Sequence, residues 1–586
     1  MKNLRKTKRA LIIIFLLLFF NGVYGIIIHV PQDQFQIQDA IDIAEDGDMI
    51  QVAPGTYYEN INFSGKNIEI HSYYSISGNG MYIEQTIIDG GNNGCVVSFI
   101  NRERHAALIG FTIINGQADV YYFGGGITCK EYSTPIIDHC VIENNSADSG
   151  AGVYCYRSNP NFSNVEINDN TAIHSGGGIY CNESDLELQN VQIRNNQADF
   201  GGGISIKNSR NPILNNVTLI RNKAEHYGGG ISCKFSGMDL DNVEILGCEA
   251  VLEHGGGIYC YSSANLNFNN LVVNGGISNL NGGGIYLARS RSIFMSNSVV
   301  NGNRAGHTGG GINFFRVGNI WLDFCQVTGN QAFRGGGFNL DKSAIKISKS
   351  TISNNSSSTS FDSGGGFYLE ESGVAMRNSI CWNDSPNEIS TDAGDFFAFY
   401  SDIEGGGFPG PGNIDADPLF VDAMNGDYHL SWSNFPVLDG TKSPCIDTGD
   451  TSAEFDDPDG TTADMGAYYF HQNIFMNPSE NVIENERTFS TEELEFTGIY
   501  QNYPNPFYQE TTISYQLKEN TPVKIEIFNV RGQRIKTLVS EKMQSGFHNV
   551  LWDGKDNHNN RISKGMYFYR IATDTLMQTR KMLLFD

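Results

Sequence analysis

Apolar residues recur along this chain at two spacings at once. Ten times a glycine triplet (Gly-Ala-Gly in the second) is followed by an apolar residue, the triplets beginning at 124, 150, 176, 201, 228, 255, 282, 309, 335 and 364. The period is therefore 25 to 29 residues. After each triplet the residues alternate. The first place holds Ile127, Val153, Ile179, Ile204, Ile231, Ile258, Ile285, Ile312, Phe338 and Phe367, and the third holds Cys, Ile, Leu or Phe. Alternation of period two predicts a strand with one buried face. A second apolar run, such as Val191-Gln192-Ile193 or Val217-Thr218-Leu219, leads into an aliphatic-x-x-Asn motif. The motif recurs at Ile142/Asn145, Ile167/Asn170, Ile193/Asn196, Leu219/Asn222, Val300/Asn303, Val327/Asn330, Ile352/Asn355 and Ile380/Asn383, with Cys248 and Gly276 replacing the asparagine in two middle coils.

A fixed period of this size marks a stack of units, each burying its apolar face against its neighbours. Strand-length alternation excludes helix-pair repeats, and a propeller blade needs a longer period. The expected fold is all-β: a right-handed parallel β-helix with roughly three strands per coil and about 4.8 Å of rise per coil. Asparagine, which tolerates the left-handed conformation and pairs its amide along a stack, is expected to turn the chain at one corner of every coil. Because coil two reads Gly150-Ala151-Gly152, the middle glycine is expected to accept a methyl group better than the first or third.

The coil stack needs closed ends. Ile37, Ala40, Ile41 and Ala44 have helical spacing with Gly47 beyond them, which predicts a short amphipathic cap helix. Residues 29–116 resemble the pectate-lyase-like β-helix superfamily through Ile37-Gln38-Asp39-Ala40-Ile41, Gly47-Asp48, Ala53-Pro54-Gly55-Thr56-Tyr57 and Gly110-Phe111-Thr112-Ile113. Asn413-Ile414-Asp415-Ala416-Asp417-Pro418-Leu419-Phe420, Gly426-Asp427-Tyr428-His429-Leu430 and Ser443-Pro444-Cys445-Ile446-Asp447 resemble the closing coils of the same family. The Gly-Gly-Gly-Ile and aliphatic-x-x-Asn pairing is similar to the polymorphic outer-membrane protein repeat.

The pattern stops at residue 470. Residues 471–497 are polar and acidic and read as a linker. From 498 to 586 the runs Ile513-Ser514-Tyr515, Val523-Lys524-Ile525-Glu526-Ile527 and Met566-Tyr567-Phe568-Tyr569 predict half-buried strands of a small β-sandwich. Here Tyr503-Pro504-Asn505-Pro506-Phe507, Asn529-Val530-Arg531-Gly532-Gln533, Gly565 and Tyr567 in the last strand pair, and Arg580-Lys581-Met582 resemble the C-terminal sorting domain of the type IX secretion system. Trp552-Asp553-Gly554 adds the look of a flagellar-hook-capping Ig-like domain. The resemblance implies an export machinery as partner and passage across the outer membrane of a diderm bacterium. The domain plan is then a signal segment at 1–25, a β-helix at 26–470 (cap to about 120, glycine-triplet coils 121–400, closing coils 401–470), the linker, and the Ig-like domain.

Composition agrees with export. Lys2, Arg5, Lys6, Lys8 and Arg9 precede the apolar run Ala10–Phe20, and Val23-Tyr24-Gly25 supplies a cleavage site. The formal charge is −26, and loss of those five basic residues takes it to −31. Such a surface repels phosphate backbones, which excludes nucleic acid as a partner class. Of the eleven cysteines, Cys129, Cys155, Cys181, Cys233 and Cys260 fall on the third-place apolar ladder, where a free thiol behaves as a small hydrophobe rather than a bridge.

Two stripes carry the candidate chemistry. Tyr154, Tyr180, Tyr259, Tyr286 and Tyr368 form an outward row on the triplet strand and are the candidate sugar-binding residues. Stacking on one another along the sheet is the alternative use of such a row. Just before the glycines run Asp148, His174, Asp199, Glu225, His226, Glu253, His254, His307 and Asp362, with Lys207 and Lys234 on the adjoining strand. Carboxylates to hold a cation and a lysine to abstract a proton suit a uronan lyase, so Lys207, Lys234, His174, Asp199, His226, Glu253 and His254 are the catalytic candidates. A solvated, mixed-charge turn is the other reading of that stripe, and no catalytic residue is assigned. Asp447, Asp450, Asp456, Asp457, Asp459 and Asp464 leave a structural calcium open, although their spacing excludes an EF-hand. No other cofactor is implied. The expected function is a secreted or cell-surface β-helix presenting a repetitive face for adhesion or glycan binding, with an extracellular polysaccharide or surface ligand as partner. A polysaccharide lyase or glycoside hydrolase, and a structural surface-layer component, are the alternatives.

Overall fold

The computed structural model describes residues 25–118, 124–357, 363–472, 498–499, 511–517, 520–529, 531, 533–544, 546–557, 560–573 and 576–584. Residues 1–24 of the signal segment, Asp362, residues 473–497 of the linker and the Tyr503–Phe507 motif lie outside the described residues. Two compact units divide the chain at residues 474 and 475.

The first unit is a parallel β-solenoid. Its strands form parallel sheets of 25, 10 and 13 strands, and the coils between residues 127 and 357 contribute to all three. One coil shows the plan: Ile179–Asn182 lies in the thirteen-stranded sheet, Glu187–Arg194 in the broad sheet, Gln197–Phe200 in the ten-stranded sheet, and Ile204–Lys207 begins the next coil. Pairing is in register, Ile179 on Ile204 and Cys181 on Ile206, so like residues stack coil upon coil. The first-place and third-place ladders are both buried in one continuous core. All eleven cysteines are free, and the five ladder thiols are buried among the aliphatics as expected.

The asparagine motif turns the corner by a different division of labour than the sequence implied. The ladder residues Asn145, Asn170, Asn196 and Asn222 are buried, and each side-chain amide of the first three donates 3.0 Å to the amide oxygen of the next. The left-handed residue is the one before: Asn144, Asp169, Asn195 and Arg221 have φ of 51–56°. In the last coil the register therefore shifts by one. Asn383 takes the left-handed place (φ 62°), and Asp384 ends the ladder by accepting from Asn355. A second, exposed asparagine row, Asn164, Asn190, Asn216 and Asn242, kinks the broad-sheet strands at positive φ.

The glycine expectation is corrected. Gly176 adopts φ +67°, which a side chain disfavours. A Cβ on Gly178 would meet the Gly203 carbonyl at 2.6 Å, and one on the middle Gly177 would meet Gln197 O at 2.4 Å and Gln197 N and Gly202 O at 2.6 Å. The middle glycine is thus pressed on the backbone of the next coil at least as hard as the third. Ala151 in coil two sits buried in a small cluster with Ala118, Ala147, Ala172 and Ala198.

The helix Ile37–Ile43 covers the first coils with Ile37, Ala40 and Ile41 fully buried, as the spacing predicts. The far end differs from the expectation of further coils. After Asp402–Ile403 the chain leaves the parallel sheets, and Phe420–Asp422 pairs antiparallel with Asp427–Leu430. This segment packs Leu430, Trp432, Cys445, Ile446 and Met465 on Ile380. Lys349 anchors it through Asp457 at 3.2 Å, and Arg377 through Asp450. Its aspartates are engaged as acceptors, Asp464 from the Asp447 and Phe470 amides and Asp459 from Gln472 N.

The second unit consists of antiparallel sheets of three and four strands. Thr511–Leu517, Thr521–Asn529 and Gly565–Ala572 contain the three runs that alternation singled out. Their inward residues enclose Trp552, with Tyr515 and Tyr569 among the fully buried side chains.

Candidate functional site

The tyrosine row lies where the sequence places it, but it is roofed. Tyr154 pairs in register with Tyr180 and Tyr259 with Tyr286, while Ser205 and Ser232 stand between them. Tyr154, Tyr259, Tyr286 and Tyr368 are only 6–8% exposed, and Tyr180 is half-buried. The cover is the turn before the glycines. From Gly150 onward each first glycine turns the chain at positive φ, so the residues before it fold over the strand after it. The Tyr227 ring stacks on Tyr259 at 4.5 Å, and His254 on Tyr286 at 4.4 Å and 9°. Burial raises the pKa of Tyr154, Tyr180, Tyr259 and Tyr286. The row is therefore a stacked under-layer, and the rings that reach the surface are those of the turn: Phe200, His226, Tyr227 and His254, all half-buried.

Around this roof the structure gathers Lys234, His226, Glu253, His254, Tyr259 and Tyr286 from three successive coils. The Lys234 ammonium lies over Phe200, Tyr227 and Tyr259, at 4.6, 4.7 and 5.4 Å from the ring centroids. Such contacts hold a cation through the ring quadrupoles. Burial, then the neighbouring Lys207 charge, lowers the Lys234 pKa. His226 Nδ1 lies 3.0 Å from Glu253 Oε1. Burial alone would raise the Glu253 pKa, but hydrogen bonds from Tyr227 and His226 outweigh it and hold the carboxyl below its usual range. Tyr227 is pushed up to about 12, by burial first and then by Glu253. Burial also lowers the His254 pKa. Lys207 pairs with Lys234 in register and is exposed.

Other members of the acid/imidazole stripe lie apart. His174 sits between Asp148 at 3.6 Å and Asp199 at 3.4 Å. His307 approaches Asn281 at 3.3 Å and stacks on Phe333. Tyr368 pairs with Asn339 far along the same sheet. Phe200 and Tyr227, which complete the lysine cage, were missed by sequence reasoning. Their signal was position, each immediately preceding a triplet. In the second unit, Tyr567 donates to Ser563 O at 2.6 Å and packs edge-on to Trp552, Gly565 opens the strand at φ +148°, and Lys581 is exposed.

One group outside both stripes brings three ligand-type atoms together among the described residues: Cys381, Asp384 and Glu388, all buried at the end of the asparagine ladder. Cys381 Sγ donates to Glu388 Oε2 at 3.1 Å, and Asp384 N to Glu388 Oε1 at 2.9 Å. Burial raises both carboxyl pKa values; the Asp384 charge adds to the rise at Glu388, whereas hydrogen bonds from Glu388, Asn355 and Cys381 oppose it at Asp384.

Residues 229–400 match the family model of the right-handed β-helix region, and residues 505–576 match that of the FlgD Ig-like domain. The chain is thus an all-β protein, a right-handed parallel β-helix followed by an Ig-like domain. No curated protein matches it. Among solved structures, the periplasmic alginate epimerase AlgG (a double mutant) is similar at 11% identity and TM-score 0.34, over 63% of this chain and 82% of that one. Pectate lyase Pel9A is similar at 12% identity and TM-score 0.28, over 77% and 98%. PorZ, a surface component of the type-IX secretion system of Porphyromonas gingivalis, is similar at 17% identity and TM-score 0.12. That alignment covers 17% of this chain and 13% of PorZ.

Proposed function

We propose that the solenoid binds an extracellular glycan along the face built by residues 199–261 and does so without turnover. The observation that carries this reading is the ring cage around Lys234 beside the exposed Lys207. Half-buried ring edges give a sugar an apolar surface, and Lys207 gives an acidic sugar a cation. The groups that proton abstraction needs are already engaged, Lys234 by three rings and Glu253 by Tyr227 and His226. Incubating the full chain with a panel of neutral and acidic polysaccharides tests it. Expected are binding without product and weaker binding by Lys207→Ala. Release of unsaturated uronates, abolished in Lys207→Ala or Lys234→Ala, replaces the reading with a lyase, which the lowered Lys234 pKa favours as a property of a base. Neither binding nor product leaves a structural surface layer.

We also propose that the Ig-like unit directs export to the cell surface. The reading rests on the Pro504-Asn505-Pro506, Gly565/Tyr567 and Lys581 motifs. Deleting residues 498–586 is expected to trap the protein in the periplasm, and normal surface delivery without them refutes it.

A further inference from the structure

The outward face of the broad sheet carries a second feature, remote from the lysine cage. One row of this face runs Asn161, Glu187, Ile213, Asp239 and Asn267, largely polar, and then changes to Phe294, Trp321, Lys346, Ala375 and Phe397. Phe294 is 49% and Phe397 53% exposed. Phe294 stacks on Trp321 at 4.6 Å and 6°, so one face of Trp321 is backed by a ring and the other looks along the row towards Phe397. Three ladder steps separate the two walls, about 14 Å at the usual strand spacing. Between them Ala344, Gly373 and Ala375 leave a hollow of about 290 Å³ with Lys346 on its floor. A Cβ on Gly373 would meet nothing within 4 Å, so neither crowding nor positive φ requires that glycine. Lys346 is exposed and forms no ion pair among the described residues. Two acids flank the row: Asp323, hydrogen-bonded to Ser348 and beside Lys349, and Asp395, exposed at the Phe397 end.

We infer that this slot is a second glycan subsite that takes one anionic sugar ring, carboxylated or sulfated, between Trp321 and Phe397 with its charge on Lys346. The volume is at the lower end of ligand pockets, the size of a monosaccharide rather than a chain. Apolar walls suit the C–H faces of a pyranose, and the unpaired ammonium between them selects charge in a chain that is acidic overall. The inference rests on the glycan reading and adds to it the class of sugar and a site away from Lys207.

The test uses the full chain and its tryptophan fluorescence, with a Trp321→Phe variant identifying the signal of that residue. The probes are oligogalacturonate, a sulfated oligosaccharide and a neutral cello-oligosaccharide. Saturable quenching of Trp321 by either anionic probe and none by the neutral one is expected, and the two anionic arms tell carboxylate from sulfate. Lys346→Ala is expected to weaken that quenching about tenfold or more, the loss of a charged hydrogen bond. Gly373→Leu, which fills the hollow without touching the core, is expected to abolish it, whereas Lys207→Ala leaves it unchanged. Equal quenching by the neutral probe overturns the anionic assignment. Trp321 quenching that survives both Lys346→Ala and Gly373→Leu, or calorimetric binding to the wild-type chain with no quenching of Trp321, overturns the slot alone. Absence of binding by any probe removes the slot and the glycan reading together.

Discussion

Replacing Asn196 by alanine removes one rung of the buried ladder, and the cost can be worked from its contacts. The side chain accepts from Asn170 N and Asn170 Nδ2, both at 3.0 Å, and donates to Ile167 O at 2.9 Å, Arg194 O at 3.0 Å and Asn222 Oδ1 at 3.0 Å. At a net value of about 0.5–1.5 kcal/mol per bond, five lost bonds give roughly 3–7 kcal/mol. Asn170 Nδ2 keeps Ile142 O, and Asn222 Oδ1 keeps Asn196 N, so the lower end applies. The amide hydrogen of Asn170 is left buried without its acceptor, which sets a floor near 1–3 kcal/mol. The expectation is a loss of about 3 kcal/mol. The control is Asn190→Gly in the exposed row, where φ is +56° and glycine fits, so less than about 1 kcal/mol is expected. Urea unfolding of the full chain, followed by circular dichroism, reads the global effect. Hydrogen exchange in residues 165–222 reads it locally, as a stack of coils opens in parts. A loss within about 1 kcal/mol of wild type, or equal losses for both variants, refutes the ladder energetics.

Gly177→Ala should lower the melting temperature at least as much as Gly178→Ala, since its Cβ meets three backbone atoms under 3 Å. A silent Gly177→Ala restores the tolerance that Ala151 implied. Burial raises Asp402 to about 6 and Asp464 to about 7. Folded carboxyls with raised pKa hold their protons longer than unfolded ones, so the stability they add is full below about pH 4 and is lost as pH rises through 6–7. Residues 402–470 should therefore show lower protection factors, after correction for the intrinsic pH dependence of amide exchange, at pH 8 than at pH 5, and the reverse order contradicts the burial of these acids. Trp552→Ala in the Ig-like unit should cost about 3–5 kcal/mol, because the side chain is fully buried and its Nε1 donates to Lys555 O at 3.0 Å. Intact mass after maleimide treatment should show the ten buried thiols unlabelled until denaturant is added, and a pair that stays unlabelled in denaturant without reductant reveals a disulfide.

Much of the fold was legible because a β-helix writes the same environment into every coil. The ladders led by Ile127 and Cys129 and the cap residues Ile37, Ala40 and Ile41 follow from alternation and spacing, which are local properties of the chain. The ladder asparagines were legible as a corner, but not which residue bends it. Asn144 and Asn145 differ only in which backbone takes positive φ, and the stack of neighbours decides that. Closing coils were inferred beyond 401 from short motifs. The antiparallel pair there forms because Leu430, Trp432 and Met465 pack on Ile380, which projects outward from the broad sheet beside core-facing Cys381, and no local signal announces that fold-back.

The site divides in the same way. Lys234, Glu253, His226 and His254 were legible as a line because the period places them one coil apart. Their engagement was not, since the cage needs Phe200 and Tyr227 to lean across coils. The slot residues Trp321, Lys346, Ala375 and Phe397 are 25, 29 and 22 positions apart, so only the finished register aligns them. The sequence by itself determined which faces point inward, because hydrophobic alternation is settled within a strand. Only the tertiary structure decided which outward residues remain open, because coverage depends on how a left-handed glycine turn lays one coil over the next.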